Sequence, residues 1–177
     1  MPNPKSIKAI AVFNNNQGYI TFTENIKDNI VIVDVFISGL KPGEHGIHIH
    51  EAGNLLDGCK GCCAHFNPDN TNHGSPHNSR NKRHIGDLGN IKANKNGDSR
   101  VKFIDDLIKL RGNKYNIIGR SVVIHEDEDD LGLGLDEKKE ESLKTGNAGK
   151  RVLCAVIGYA EPYYFKFNQP FLSLISM

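Results

Sequence analysis

The chain has 177 residues, 38% hydrophobic and 24% charged, with a formal net charge of +1, which suits one domain with one buried core better than two. A balance so near neutral excludes a general electrostatic pull toward nucleic acid or anionic membrane, and nowhere do eighteen apolar residues run together, so neither partner is expected.

In chain order, the opening MPNPKSIKAIAVFNNN has a short apolar patch cut off by asparagines and no apolar leader core. It leads to an expectation of a cytoplasmic location, where cysteines usually stay reduced or bind metal. Short runs rich in Val, Ile and Phe follow, bounded by Gly, Asn, Asp or Pro: KAIAVF, GYITFTEN, NIVIVDVFISG, GIHIHE, RVKFIDDLIKL, SVVIHE and RVLCAVIGYA. They read as strands, so the protein is expected to be all-β. Two long polar stretches, 51–100 and 125–150, interrupt them. Each starts just after a histidine-bearing strand, which favours a functional role for both loops.

The run GIHIHE carries the first chemical signal. Side chains alternate along a strand, so Ile47 and Ile49 share one face and His48 and His50 the other. The isoleucines enter a core, while the imidazoles stand about 6.6 Å apart at Cβ and can converge on one metal. Two histidines on a polar sheet face are also commonly plain solvent-facing residues, so context decides. The next loop holds His65, His73, His77, His84 and Asp87, which puts seven of the eight histidines between positions 45 and 87. A solvated loop has no reason to concentrate imidazole in this way, whereas a metal site needs three or four N or O donors. The eighth, His125, ends SVVIH and by itself reads as a strand-end residue facing water.

GIHIHEAG, HFNP, HIGDLGNI, IIGRSVVIHE, DDLG and KTGNAGKRVLCAVIG together resemble the copper,zinc superoxide dismutase family, in its order and near its spacing, over roughly residues 6 to 160. The resemblance implies an antiparallel Greek-key β-sandwich or flattened barrel with long metal-binding and electrostatic loops. It implies copper and zinc as cofactors, copper on His48, His50, His65 and His125, and zinc on His65, His73, His84 and Asp87, with His65 shared. The activity implied is conversion of superoxide anion to oxygen and hydrogen peroxide, by alternate reduction and reoxidation of the copper. His65 would be catalytic through its proton, and Arg151 through attraction of the anion. Asp129 resembles the carboxylate that hydrogen-bonds one ligand of each metal, here His48 and His73, and fixes their tautomers. Lys144 and the acidic residues of its loop extend the local field. Cys59 and Cys154 match the family's intrasubunit disulfide.

The departures are informative. Cys62 and Cys63 are extra thiols, and CKGCCAH can alternatively be read as Cys-x-x-Cys zinc ligation, although no second such pair accompanies it. His45 and His77 match no ligand and read as bystanders, with His77, beside an apparent insertion, as a substitute zinc ligand in the minor reading. Ala52 stands where many members carry an interface phenylalanine, and EPYYFKFNQPFLSLISM continues past the usual end, so the expected homodimer contact is in question. The division expected is a dismutase-like domain over 1–160 and an extension over 161–177. A copper chaperone is an expected partner. The rival readings are a metal-delivery or metal-buffering protein on the same fold, and a structural sandwich using zinc alone, which would not need His125.

Overall fold

The computed structural model describes residues 5–160. Within them run nine strands: β1 (Ser6–Phe13), β2 (Gly18–Asn25), β3 (Ile30–Ile37), β4 (Gly43–His50), β5 (Asp87–Ala93), β6 (Ser99–Asp105), β7 (Ser121–His125), β8 (Arg151–Val156) and β9 (Gly158–Tyr159). One helix of seven residues, α1, spans Lys139–Thr145. Alternation builds the first sheet: Val31, Val33, Val35 and Ile37 of β3 are buried while the residues between them are partly exposed. β-branched residues at every second position suit a pleated surface with one face in a core. The order is β6-β3-β2-β1-β9 in one sheet and β5-β4-β7-β8 in the other, with every pairing antiparallel. β5 lies against β6 and β8 against β1, which closes the Greek-key sandwich into a flattened barrel.

β4 and β7 break the half-wet pattern. His45 through His50 and the whole of β7 are buried. Their inward residues, Ile47, Ile49, Val122 and Ile124, join the core. The opposite face is covered by the two long loops, so its polar residues are buried as well. A strand buried on both sides reads as a continuous apolar run, and here imidazoles stand where that run would carry aliphatics.

Two local readings are corrected. β5 was expected to be loop, because its DLGNIKA has too few β-branched residues to stand out of a polar stretch. The run RVKFIDDLIKL ends as a strand at Asp105 rather than Leu110, since Asp105 Oδ1 accepts from the amides of Leu107 and Ile108, both at 2.8 Å, and turns the chain. The extension over 161–177 lies outside the described residues.

Candidate metal centre

His48 and His50 project from the outer face of β4, and register brings β7 alongside, with His48 opposite Val123 and His50 opposite Ser121. His125 lies two residues beyond Val123 and so shares that face. A register shift between Ile124 and His125 sets Arg151 opposite His125 at the start of β8. His65 and Asp87 arrive from the long loop through a backbone junction. Phe66 N–H donates to Ile49 O at 2.8 Å, Ile49 N–H to Gly86 O at 2.8 Å, and Gly86 N–H to Phe66 O at 3.0 Å. A Cβ on Gly86 would lie 2.2 Å from Ile49 O, so only glycine admits this approach.

One donor atom each from His48, His50, His65 and His125 lies within 4.8 Å of the others, and a second group of the same tightness is His48, His65, His73 and Asp87. His84 is absent from that second group, yet its Nδ1 lies 3.1 Å from Asp87 Oδ1 and 3.4 Å from His65 Nδ1. Asp87 Oδ1 is thus approached by three imidazole nitrogens: His65 Nδ1 at 3.1 Å, His73 Nδ1 at 2.9 Å and His84 Nδ1 at 3.1 Å. A tetrahedral zinc site with bonds of about 2.0 Å has donors about 3.3 Å apart. The N3O set fits zinc with little movement.

Tautomers are fixed from behind. His48 Nε2 lies 2.8 Å from Asp129 Oδ2, His50 Nδ1 2.9 Å from Cys63 O, and His125 Nδ1 3.1 Å from Gly149 O. Each carbonyl or carboxylate takes an N–H, which leaves the lone pair on the other nitrogen. Those nitrogens, His48 Nδ1, His50 Nε2 and His125 Nε2, are buried without a hydrogen-bond partner. Three unpaired buried acceptors in one cluster are costly as packing and suited to a metal. Burial pushes His48 well below the ordinary histidine range, lowers His50 and His65, and takes His125 to about 4. All four are therefore neutral and able to donate at pH 7.

His73 differs. Burial opposes its charge, but Asp129 Oδ1 at 2.8 Å from Nε2 and Asp87 beside Nδ1 outweigh that and raise it to about 9. Its Nδ1 is near Asp87 Oδ1 without hydrogen-bond alignment, so charge proximity is the sounder account of the Asp87 contribution. Burial opposes ionisation of Asp87 too, yet the hydrogen bonds from His65 and His84, with the charge of nearby His73, hold its carboxyl well below the usual range.

Arg151 borders the cavity that His50, His65 and His125 also line. Its guanidinium donates to Cys59 O at 2.8 Å and Cys63 O at 2.6 Å, leaving three of its five N–H groups free of those carbonyls. Lys144 lines the same cavity and pairs with Glu140 at 2.6 Å. Cys59 is disulfide-bonded to Cys154, while Cys62 is a buried free thiol and Cys63 an exposed one. His77 is exposed and belongs to neither donor group.

Two contributors escaped the sequence reading. His45 shares the inward face with Ile47 and Ile49, and its ring nitrogens lie 2.8 Å from His125 O and 2.8 Å from Lys41 O. It ties the end of β7 to the start of β4, which alternation alone flags as a buried polar group needing partners. Asn90 on β5 grips the Asp129 backbone both ways, donating to its carbonyl and accepting from its amide, each at 2.8 Å. Nothing in GDLGN distinguishes that side chain from a turn residue.

Comparison with known proteins agrees with this geometry. The profile of the copper/zinc superoxide dismutase (SODC) family matches residues 16–157. A copper-zinc superoxide dismutase of Paramecium bursaria Chlorella virus 1 is 56% identical over 159 residues, covering 89% of this chain and 81% of that one. An extracellular copper-zinc superoxide dismutase of Drosophila melanogaster is 51% identical, covering 80% and 75%. The crystal structure of the clock protein EA4 superposes with a TM-score of 0.79 at 46% identity, covering 89% of this chain and 98% of that one. The cytoplasmic expectation does not stand: relatives from Drosophila melanogaster, Brugia pahangi and Haemonchus contortus are extracellular enzymes. That expectation rested on the opening residues, which carry no visible apolar leader core. The family's cofactors are copper and zinc, and with its motif and fold both matched, this chain belongs to the copper/zinc superoxide dismutases, which are oxidoreductases.

Proposed function

We propose that the chain dismutes superoxide, holding copper on His48, His50, His65 and His125 and zinc on His65, His73, His84 and Asp87. The observation that carries this reading is the set of unpaired, buried nitrogens on His48, His50 and His125, each backed by a fixed acceptor. Copper, when bound, supplies the one-electron cycling that dismutation needs. Arg151 draws the anion into the cavity and orients it with its remaining N–H groups. His65 turns Nδ1 toward Asp87 and His84, so its other nitrogen is the atom that hands a proton to the reduced product. Asp129 holds the N–H of both His48 and His73, so one carboxylate keeps the two donor sets in step.

A metal carrier on the same fold needs the imidazoles but no cation braced above them, and Arg151 is braced by two carbonyls. Homodimer assembly, copper loading by a chaperone and the division at residue 160 are the finer parts of the proposal. Metal content by mass spectrometry, paired with a dismutation assay, tests the core of it. One copper and one zinc per chain in active protein is expected, and full activity with zinc but no copper, iron or manganese would overturn it.

A further inference from the structure

Cys62 takes no part in the site described above. It is fully buried, carries a free thiol, and ends the 3-10 helix Gly58–Cys62 that also holds Cys59. A 3-10 helix has three residues per turn and rises about 2.0 Å per residue, so side chains at i and i+3 eclipse. Cys59 and Cys62 are therefore stacked on one side of the helix with Cα atoms about 6 Å apart, inside the range of about 4.4–6.8 Å that a disulfide spans. The bonded partner, Cys154 on β8, has its Cα 5.6 Å from that of Cys59. Cys59 thus has two sulfur partners at comparable reach, one bonded and one free.

We propose that Cys62 is an internal exchange nucleophile for the Cys59–Cys154 disulfide. The Cys62 sulfur attacks Cys59 Sγ, a Cys59–Cys62 bond forms and the Cys59–Cys154 bond breaks. The electron pair of the broken bond leaves on Cys154 Sγ, which takes up the proton that Cys62 gave away. One disulfide and two thiols exist before and after, so no oxidant or reductant is consumed. Cys63 is not the nucleophile. It sits one residue past the eclipsed position, where φ 64° and ψ −150° turn the chain out of the helix, and its side chain is exposed.

The exchange acts on Arg151 through its braces. The two carbonyls that hold the guanidinium belong to Cys59 and Cys63, on the segment the disulfide ties to β8. Moving the bond onto Cys62 leaves that segment closed on itself and β8 without its covalent tie. The same chain then has two linkage isomers, one with Arg151 cross-braced and one with it held by hydrogen bonds alone.

Peptide mapping of the metal-loaded full chain tests this. The protein is held in mildly alkaline buffer, quenched in acid, unfolded, alkylated and digested without reduction. Lys60 lies between Cys59 and Cys62, so tryptic cleavage there gives the two linkages different masses. The expected result is a Cys59–Cys62 species with Cys154 alkylated, beside the Cys59–Cys154 species with Cys62 alkylated. Cys62→Ser should lower alkylated Cys154 at least about tenfold, while Cys63→Ser leaves it unchanged. Cys154 never alkylated in the parent, alkylated equally in Cys62→Ser, or freed by a Cys59–Cys63 link would each overturn the proposal. Should Cys62→Ser not fold, the parent and Cys63→Ser maps still decide it. The readout needs no activity, so its failure is separate from failure of the dismutase reading.

Discussion

Neutralising Arg151 separates attraction of the substrate from retention of the metals. With superoxide about 6 Å from the guanidinium and an effective dielectric of about 20, the attraction is 332/(20 × 6), or about 3 kcal/mol. Arg151 is only half-buried, so solvent and salt reduce that to about 1.4 kcal/mol, which is a factor of about ten in rate. Arg151→Gln should therefore lose about tenfold in dismutation, and Arg151→Glu more, because reversal adds repulsion to the lost attraction. Charge alone would let Arg151→Lys keep almost everything. The guanidinium, however, spends one donor on Cys59 O and another on Cys63 O, and one ammonium cannot bridge both carbonyls and still present an ordered donor to the anion. Arg151→Lys should lose about two- to fivefold, with salt dependence retained. Pulse radiolysis on metal-matched proteins across ionic strength measures all three. Wild-type rates in Arg151→Glu at unchanged copper and zinc would refute the assignment.

The zinc half of the site makes a pH prediction. His73 is raised to about 9 in the metal-free fold, so zinc must displace its Nδ1 proton at neutral pH. Affinity should rise about tenfold per pH unit from 7 toward 9 and then flatten, with about one proton released per zinc, as read by calorimetry in buffers of different ionisation enthalpy; flat affinity without proton release would contradict the ligand assignment. Asp129→Asn leaves an NH2 group facing the N–H of His48 or His73, so one ligand loses its support whichever way the amide turns. Metal affinity in chelator competition should fall about 10- to 100-fold, and unchanged affinity for both metals would show that Asp129 is packing only.

The legible part of the fold was the part where neighbours along the chain settle the matter. Alternation in β3 separates Val33 and Val35 from Asp34 without help from any other strand, and the same rule places His48 and His50 on one face. β5 was missed because DLGNIKA earns its place through partners: His45 opposes Ile91 and Gly46 opposes Asn90. The candidate ligands could be named because each keeps its motif, but their supports could not. Gly149 O, Cys63 O and Lys41 O are backbone atoms, identical in every residue type, and only the fold says which carbonyl meets which imidazole.

Burial keeps the four imidazoles of His48, His50, His65 and His125 unprotonated, and those supports decide which nitrogen is left to face inward. A buried neutral histidine chooses between two tautomers, and a wrong choice turns an N–H toward the metal position. At His50 and His125 the choice is made by carbonyls whose own positions are set by loop geometry, at Cys63 and Gly149. Cys63 adopts a positive φ of 64°, and Gly149 one of 74°, a region that glycine enters freely and cysteine at a cost of order 1 kcal/mol or more. The Cys63 carbonyl also accepts from Arg151, so that one strained residue sets the His50 tautomer and the position of the Arg151 guanidinium together. A residue that relaxed this strain would change both at once, which is why the 3-10 turn and its disulfide bear on the proposed site although Cys59, Cys62 and Cys63 belong to neither donor group.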